Sequence, residues 1–313
     1  VGQKTRTPAG RSSLTWLWCL TLAAVLVMGA ISLVRPMTTY KLLALDAGGF
    51  TIGWIGALYS LLPLFCIFYL GGRAQRAPSL KPLLIGGSVT VAAGSALLAV
   101  SGNIPMVALG TVVVGMGQLI FAIAGQATIA RFAANNQLDL AFGWFTAGFS
   151  TGQMLGPIAG GVMLGEATTG AAGHADIDVT LWVGAAAAGA VLIILLAAGR
   201  IFRAPVPVAK EETTKEPESK PRLLQLLKVP KMPSYILASV ALLAMVDMLM
   251  TFLPLLGEAA GVSPFWIGIP LAAGALAGLW GPAAPIWLAC SLVLGSGAQQ
   301  LVPQGKPQGK PPD

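Results

Sequence analysis

The chain has 313 residues, of which 55% are hydrophobic and 10% charged. Soluble domains carry about 25% charged residues, so a single water-soluble globule is excluded. The net charge of +7 is scattered in short segments between apolar runs, which excludes the continuous basic face of a nucleic-acid binder.

A helix needs about 20 apolar residues to cross a bilayer. In chain order, such runs predict spans at 15–44, 52–71, 82–101, 104–129, 141–164, 179–199, 234–257 and 264–281. A further apolar run, 283–297, follows with almost no connector. An open sheet cannot satisfy its backbone in lipid, and the alternation of a membrane barrel is absent. The expected fold is therefore all-α and polytopic. The first run is too long for a cleavable signal and continues into a spanning helix. Cys19, Cys66 and Cys290 stand in apolar runs without ligand spacing and read as lipid- or core-facing.

Charge sets the orientation. Lys4, Arg6 and Arg11 precede the first span; Arg73, Arg76 and Lys81 separate the second from the third; Arg131 follows the fourth. After the sixth come Arg200, Arg203, Lys210, Lys215, Lys220, Arg222, Lys228 and Lys231. The opposite loops are short and acidic, with Asp46, then Glu166, Asp176 and Asp178, then Glu258; only Arg35 and Lys41, at the end of the first span, lie towards that face. The positive-inside rule puts the N-terminus and the 204–233 loop in the cytoplasm, and the expected location is a bacterial cytoplasmic (inner) membrane.

Residues 1–203 are expected to form a six-helix bundle. Residues 204–233, with the mixed-charge stretch "KEETTKEPESKPR", form a linker, in which "RLLQLLK" is either a short surface helix or plain solvated chain. Residues 234–281 are expected to begin a second bundle, and 282–313 form a divergent apolar and low-complexity tail.

The fifth span holds "GFSTGQMLGPIAGG", residues 148–161. In water, each interior glycine costs a helix up to about 1 kcal/mol and a proline about 3 kcal/mol. In lipid, Gly148, Gly152, Gly156 and Gly160 make a strip without side chains where another helix can approach closely, and Pro157 permits a bend. The strip is either a packing face alone or a seam closing one side of a path through the bundle.

An internal repeat is the most informative feature. "VRPMTTYKLLALDAGGFTIGWIG" at 34–56 aligns without gaps on "VDMLMTFLPLLGEAAGVSPFWIG" at 246–268. Val34 falls on Val246, Thr39 on Thr251, Leu43 on Leu255, Asp46 on Glu258 and Gly49 on Gly261, and the "WIG" triplets coincide. A parallel repeat that begins after six spans implies two six-helix bundles about an axis along the membrane normal, a transporter plan with substrate near the midplane. In this register Arg35 sits where the second half has Asp247. An ionisable group inside a span costs about 3 kcal/mol or more unless paired or hydrated. The two either line a polar cavity for substrate or protons, or neutralise each other as structure.

At this point the chain resembles the major facilitator superfamily. The stretch "GGRAQRAPSLKPLL" after the second span is similar to the family's G-x-x-x-D-R-x-G-R-R/K gate loop through Gly72, Arg73, Arg76 and Lys81, with Gln75 in place of the family's Asp. "GQMLGPIAGG" matches the fifth-helix G-x-x-x-G-P-x-x-G-G motif through Gly152, Gly156, Pro157, Gly160 and Gly161, in the fifth predicted span. Within the family this resembles the drug–proton antiporter signature. The fourth span, "VVVGMGQLIFAIAGQATIARF", is similar to that of such antiporters but lacks their embedded Arg, leaving Gln118 and Gln126 as its polar groups. The likeness covers residues 14–278. Beyond Gly278, "LWGPAAPIWLACSLVLGSGAQQLVPQGKPQGKPPD" has no family character where four more helices are expected, and reads as a truncation or shifted frame, or as a short variant.

The resemblance implies a secondary transporter working by alternating access, with efflux of a small molecule coupled to protons. Arg35 is then the candidate charge for an anionic substrate group, and Asp247 the candidate proton carrier. Gln118, Gln126 and Gln153 either bond substrate or a neighbouring helix. The alternative is an inactive fragment or a membrane scaffold that transports nothing. No cofactor, metal or nucleic-acid partner is expected. An enzyme is not expected either, since His174 is a lone loop histidine beside Asp176 and Asp178, with no triad, metal spacing or phosphate loop.

Overall fold

A computed structural model describes residues 14–164, 174–198, 232–260, 262, 265–269 and 271. The N-terminal cations, nearly all of the 204–233 linker, most of the span expected at 264–281 and the 282–313 tail lie outside the described residues. The helices are α1 (Thr15–Ala44), α2 (Gly49–Arg76), α3 (Lys81–Ala99), α4 (Ile104–Phe132), α5 (Leu138–Leu164), α6 (His174–Ala197) and α7 (Met232–Ala259). A 3-10 turn at Asn135–Gln137 leads into α5, and residues 265–269 are again helical. The described residues form no strand. The chain is an all-α, polytopic membrane fold.

Polar residues survive inside these helices by bonding to their own backbone. The hydroxyls of Thr38, Ser95, Thr111, Thr128, Thr151 and Thr180 each donate to the carbonyl four residues earlier, so none needs water. The Asn103 side chain accepts from the Met106 N–H at 2.9 Å and starts α4. α1 stops at Asp46, whose φ of 56° is left-handed, as the Ala47 N–H turns back to the Leu42 carbonyl.

Among the described residues, five helices, α1 to α4 and α6 from Asp176, are long and apolar enough to cross a membrane. α5 is not among the five, because its glycines, Gln153 and Pro157 dilute its apolarity; its place is set by packing on α1. α1 is the hub, lying against α5 and α6 and touching α3, α4 and α7. α3 packs on α4 and α6, and α2 bridges α4 and α7. A Cβ on Gly148, Gly152 or Gly156 would lie 2.9 Å from the Thr21 oxygen, 2.5 Å from the Val25 oxygen and 2.6 Å from the Gly29 oxygen respectively. The glycine strip therefore lies on the α1 backbone, turn by turn.

Two boundaries differ from expectation by five residues, and the others by three or fewer. α2 runs five residues past its predicted end, carrying Gly72, Arg73 and Arg76 into its last turns, so residues 77–80 alone connect it to Lys81. α6 starts at His174, not 179, because Asp176 in its first turn suits the positive end of a helix. Charge marked the ends of the apolar runs, but not of the helices.

Aromatic side chains collect at both ends. Trp16 meets Phe132 at 5.9 Å and Trp18 meets Trp144 at 4.6 Å at the end of the bundle where α1 and α5 begin and α4 ends. Trp54 and Trp266, the paired tryptophans of the repeat, are each 60% exposed at the other side. Such belts sit at headgroup level.

Candidate functional site

A small cavity of about 30 Å³ opens where α1, α2, α4 and α7 converge. Its polar lining is Arg35, Thr38 and Thr39 from α1, Tyr59 from α2, Thr111 from α4 and Thr251 from α7; the rest is apolar or glycine. The volume holds about two waters.

Arg35 organises this site. Its Nη1 donates to Asp247 Oδ1 at 2.8 Å, with the Arg35 side chain 19% and the Asp247 side chain 50% exposed. The guanidinium carbon lies 4.5 Å from the centroid of the Tyr59 ring. The Tyr59 hydroxyl donates in turn to Gln118 Oε1 on α4. One turn from Arg35, the Thr39 hydroxyl donates to the Thr251 carbonyl at 3.3 Å. The chain Asp247–Arg35–Tyr59–Gln118 thus runs through α7, α1, α2 and α4 in order.

Above this chain, towards the acidic loops, α2 and α7 are in close contact. A Cβ on Gly53 would lie 3.2 Å from Phe252 Cζ, and one on Gly56 3.1 Å from Thr251 Cγ2. Below it the same helices present open faces, with Leu64, Phe65 and Phe68 of α2 exposed, and Leu237 of α7 likewise.

Of the candidate residues, Arg35, Asp247 and Gln118 come together. Gln126 is exposed and Gln153 half-buried on α5, and neither lines the cavity. Gly152 and Gly156 face α1, Gly160 faces Met37, and a Cβ on Gly268 would lie 2.6 Å from the Pro157 oxygen and 3.8 Å from Gly161 Cα. Gly72, Arg73 and Arg76 are exposed and Lys81 is half-buried.

Three residues carry more than sequence reasoning assigned them. No motif singles out Tyr59, although a tyrosine inside a span needs a partner for its hydroxyl. Lys41 is 4% exposed and donates to Asp178 Oδ1 on α6 and, at 3.1 Å, to the Ala99 carbonyl that ends α3. Arg131 donates from Nη1 to the Ala77 carbonyl at 2.6 Å and from Nη2 to the Ala74 and Gln75 carbonyls, both at 2.8 Å. It thereby caps the end of α2 beside Gln75. Among the described residues no three His, Cys, Asp or Glu side chains gather to hold a metal.

Residues 20–298 match the family model described as Major Facilitator Superfamily. No curated protein matches the chain. Among solved structures, a bacterial homolog to the human lysosomal transporter Spinster, inward-facing and unoccupied, superposes with a TM-score of 0.69 at 15% identity, covering 86% of this chain and 61% of that one. An inward-facing and occupied structure of such a homolog gives 0.65 at 14%, covering 97% and 64%. The nucleoside transporter NupG gives 0.59 at 17%, covering 87% and 67%. At these identities the likeness is one of fold, and the chain spans less than two thirds of the length of the two Spinster-homolog structures.

Proposed function

The chain belongs to the Major Facilitator Superfamily, and on that premise we propose that it is a secondary active transporter of a small molecule bearing an anionic group. The first six helices form one bundle and residues 234–281 begin a second. Transport proceeds by alternating access as the bundles rock about the contact of α1 with α7. The observation that carries this reading is the Arg35–Asp247 pair at 2.8 Å, set just below the close approach of α2 to α7. An anion entering from the open side competes with Asp247 for Arg35, whose bond to Asp247 uses Nη1 and leaves the other nitrogens of the fork to grip a carboxylate or phosphate. Gln118 braces the site through Tyr59.

The fifth-helix motif, with its likeness to antiporters, favours efflux in exchange for protons. The pairing itself favours a second mode of coupling. An anion that displaces Asp247 from Arg35 leaves the carboxylate inside the span without its counter-charge, so a cation that travels with the anion restores the balance of charge. Anion and cation then occupy the same state, which is the linkage of cotransport.

Reconstituted vesicles holding the full chain and a pH-sensitive dye test both. A panel of organic anions is added outside under an imposed pH gradient, and uptake and internal pH are followed. Substrate-dependent proton movement that is absent from Arg35→Gln and Asp247→Asn supports the reading, and its direction separates exchange from cotransport. If no member of the panel moves and the dye stays flat, the transporter reading is lost to the alternative of a non-transporting membrane protein.

A further inference from the structure

The contacts of Tyr59 point to a role that no motif in the chain suggests. Tyr59 is 7% exposed and held at three points. Its ring lies under the Arg35 guanidinium at 4.5 Å, its hydroxyl donates to Gln118 Oε1, and its backbone sits against Gly115, where any Cβ would run into the Tyr59 carbonyl oxygen. Gly115 and Gln118 are three residues apart on α4, so one face of that helix fixes both the backbone and the tip of the tyrosine. A tyrosine anchored at both ends is a rigid platform.

We propose that Tyr59 is the positioning residue of the anion site, holding Arg35 in place through its ring when Asp247 lets go. The inference rests on the reading of Arg35 as an anion-binding residue. Arg35 has two neighbours of opposite chemistry, the Asp247 carboxylate and the Tyr59 π-face. The first must be given up when an anion arrives. The second competes for no hydrogen-bond donor, because the ring takes the guanidinium face and leaves its N–H edge free. The ring keeps a long, rotamer-rich side chain ordered through the exchange of partners, so the anion does not bear the cost of ordering it. The planar fork, steadied on a flat ring, suits a carboxylate or phosphate that accepts two parallel bonds.

The test uses the purified full chain in lipid nanodiscs. Phenylglyoxal modifies arginines, and mass spectrometry reads the rate at Arg35, with Arg131 as internal control. Inorganic phosphate and benzoate are the protecting probes. In the wild type both slow modification of Arg35. Tyr59→Leu needs about 3- to 30-fold more anion for half-protection, the range of a cation–π contact, and Tyr59→Phe, which keeps the ring but loses the bond to Gln118, falls between it and the wild type. Progressively fluorinated phenylalanines at position 59, which drain the ring face without changing its shape, raise the half-protecting concentration stepwise, and this series stands even if the leucine variant fails to fold. Equal protection along the series overturns the role of Tyr59 and leaves the anion site standing. Failure of both probes to protect wild-type Arg35 removes the anion site, and the inference with it.

Discussion

Arg35 on α1 and Asp247 on α7 are 212 positions apart in the chain and meet at 2.8 Å. The next contact along these helices, from the Thr39 hydroxyl to the Thr251 carbonyl, has the same spacing of 212. That is also the period of the internal repeat. Both contacts therefore join positions that are equivalent in the sequence repeat, and at one of them a cation in the first copy faces an anion in the second.

Breaking this pair leaves one charge without its partner inside a membrane span. Arg35→Gln and Asp247→Asn are each expected to lower stability by about 2 kcal/mol, while the double neutralisation loses less than the sum of the two. Thermal unfolding of the four proteins in detergent checks the cycle. Additive losses would mean that the two side chains do not feel each other.

The glycine strip of α5 leaves no room for growth. Gly156→Ala would put a Cβ 2.6 Å from the Gly29 oxygen and 2.7 Å from the Leu33 nitrogen, backbone atoms that cannot rotate away. A loss of about 1–3 kcal/mol is expected from overpacking. Gly143→Ala on the same helix meets nothing within 4 Å, and is expected to gain up to about 1 kcal/mol in helix propensity. The yield and melting temperature of the two variants should move in opposite directions.

Lys41 ties three helices at the end of the bundle where α1 and α3 stop and α6 begins. Its ammonium complements the negative end of α3 at Ala99 and pairs with Asp178 in the first turns of α6. Lys41→Met is expected to cost more in the wild type than in an Asp178→Asn background, with a coupling of about 1–2 kcal/mol. A coupling near zero in the same unfolding assay would reduce Lys41 to a packing residue.

Arg131 holds three carbonyls at the end of α2 through two nitrogens of one fork. Lysine is a point charge without that fork, so Arg131→Lys is expected to free the 77–80 connector almost as fully as Arg131→Ala. A cysteine introduced at Ser79, which is exposed in the connector, should then react several times faster with a maleimide. By the charge pattern it should do so only from the cytoplasmic side of sealed vesicles. Labelling from the outer side would reverse the topology, and an unchanged rate would remove Arg131 as the clamp.

The helices were legible because lipid imposes a simple rule, that backbone must be bonded internally along an apolar stretch. α1 begins and ends where its apolar run does, at Thr15 and Ala44. The rule failed at α2 and α6, where charged residues continue a helix beyond the apolar run instead of ending it. At the end of α2, beside Gln75, the backbone carbonyls are held by Arg131 from another helix. Nothing local in the sequence announces that bond, since carbonyl oxygens carry no sequence signature.

The sequence by itself determined that this chain is a membrane-embedded helical protein, that a small-residue strip marks its fifth helix, and that Arg35 and Asp247 hold equivalent places in an internal sequence repeat. Periodicity, hydropathy and spacing are one-dimensional quantities, and one dimension suffices for them. Only the tertiary structure decided that Arg35 and Asp247 are partners, that the strip lies on α1, that Gln118 but not Gln126 or Gln153 reaches the site, and that Tyr59 and Lys41 belong to networks at all. A side chain's partner depends on the rotation of each helix about its own axis. That rotation is set by the summed packing of many neighbours, at glycine contacts above all, and no single residue records it.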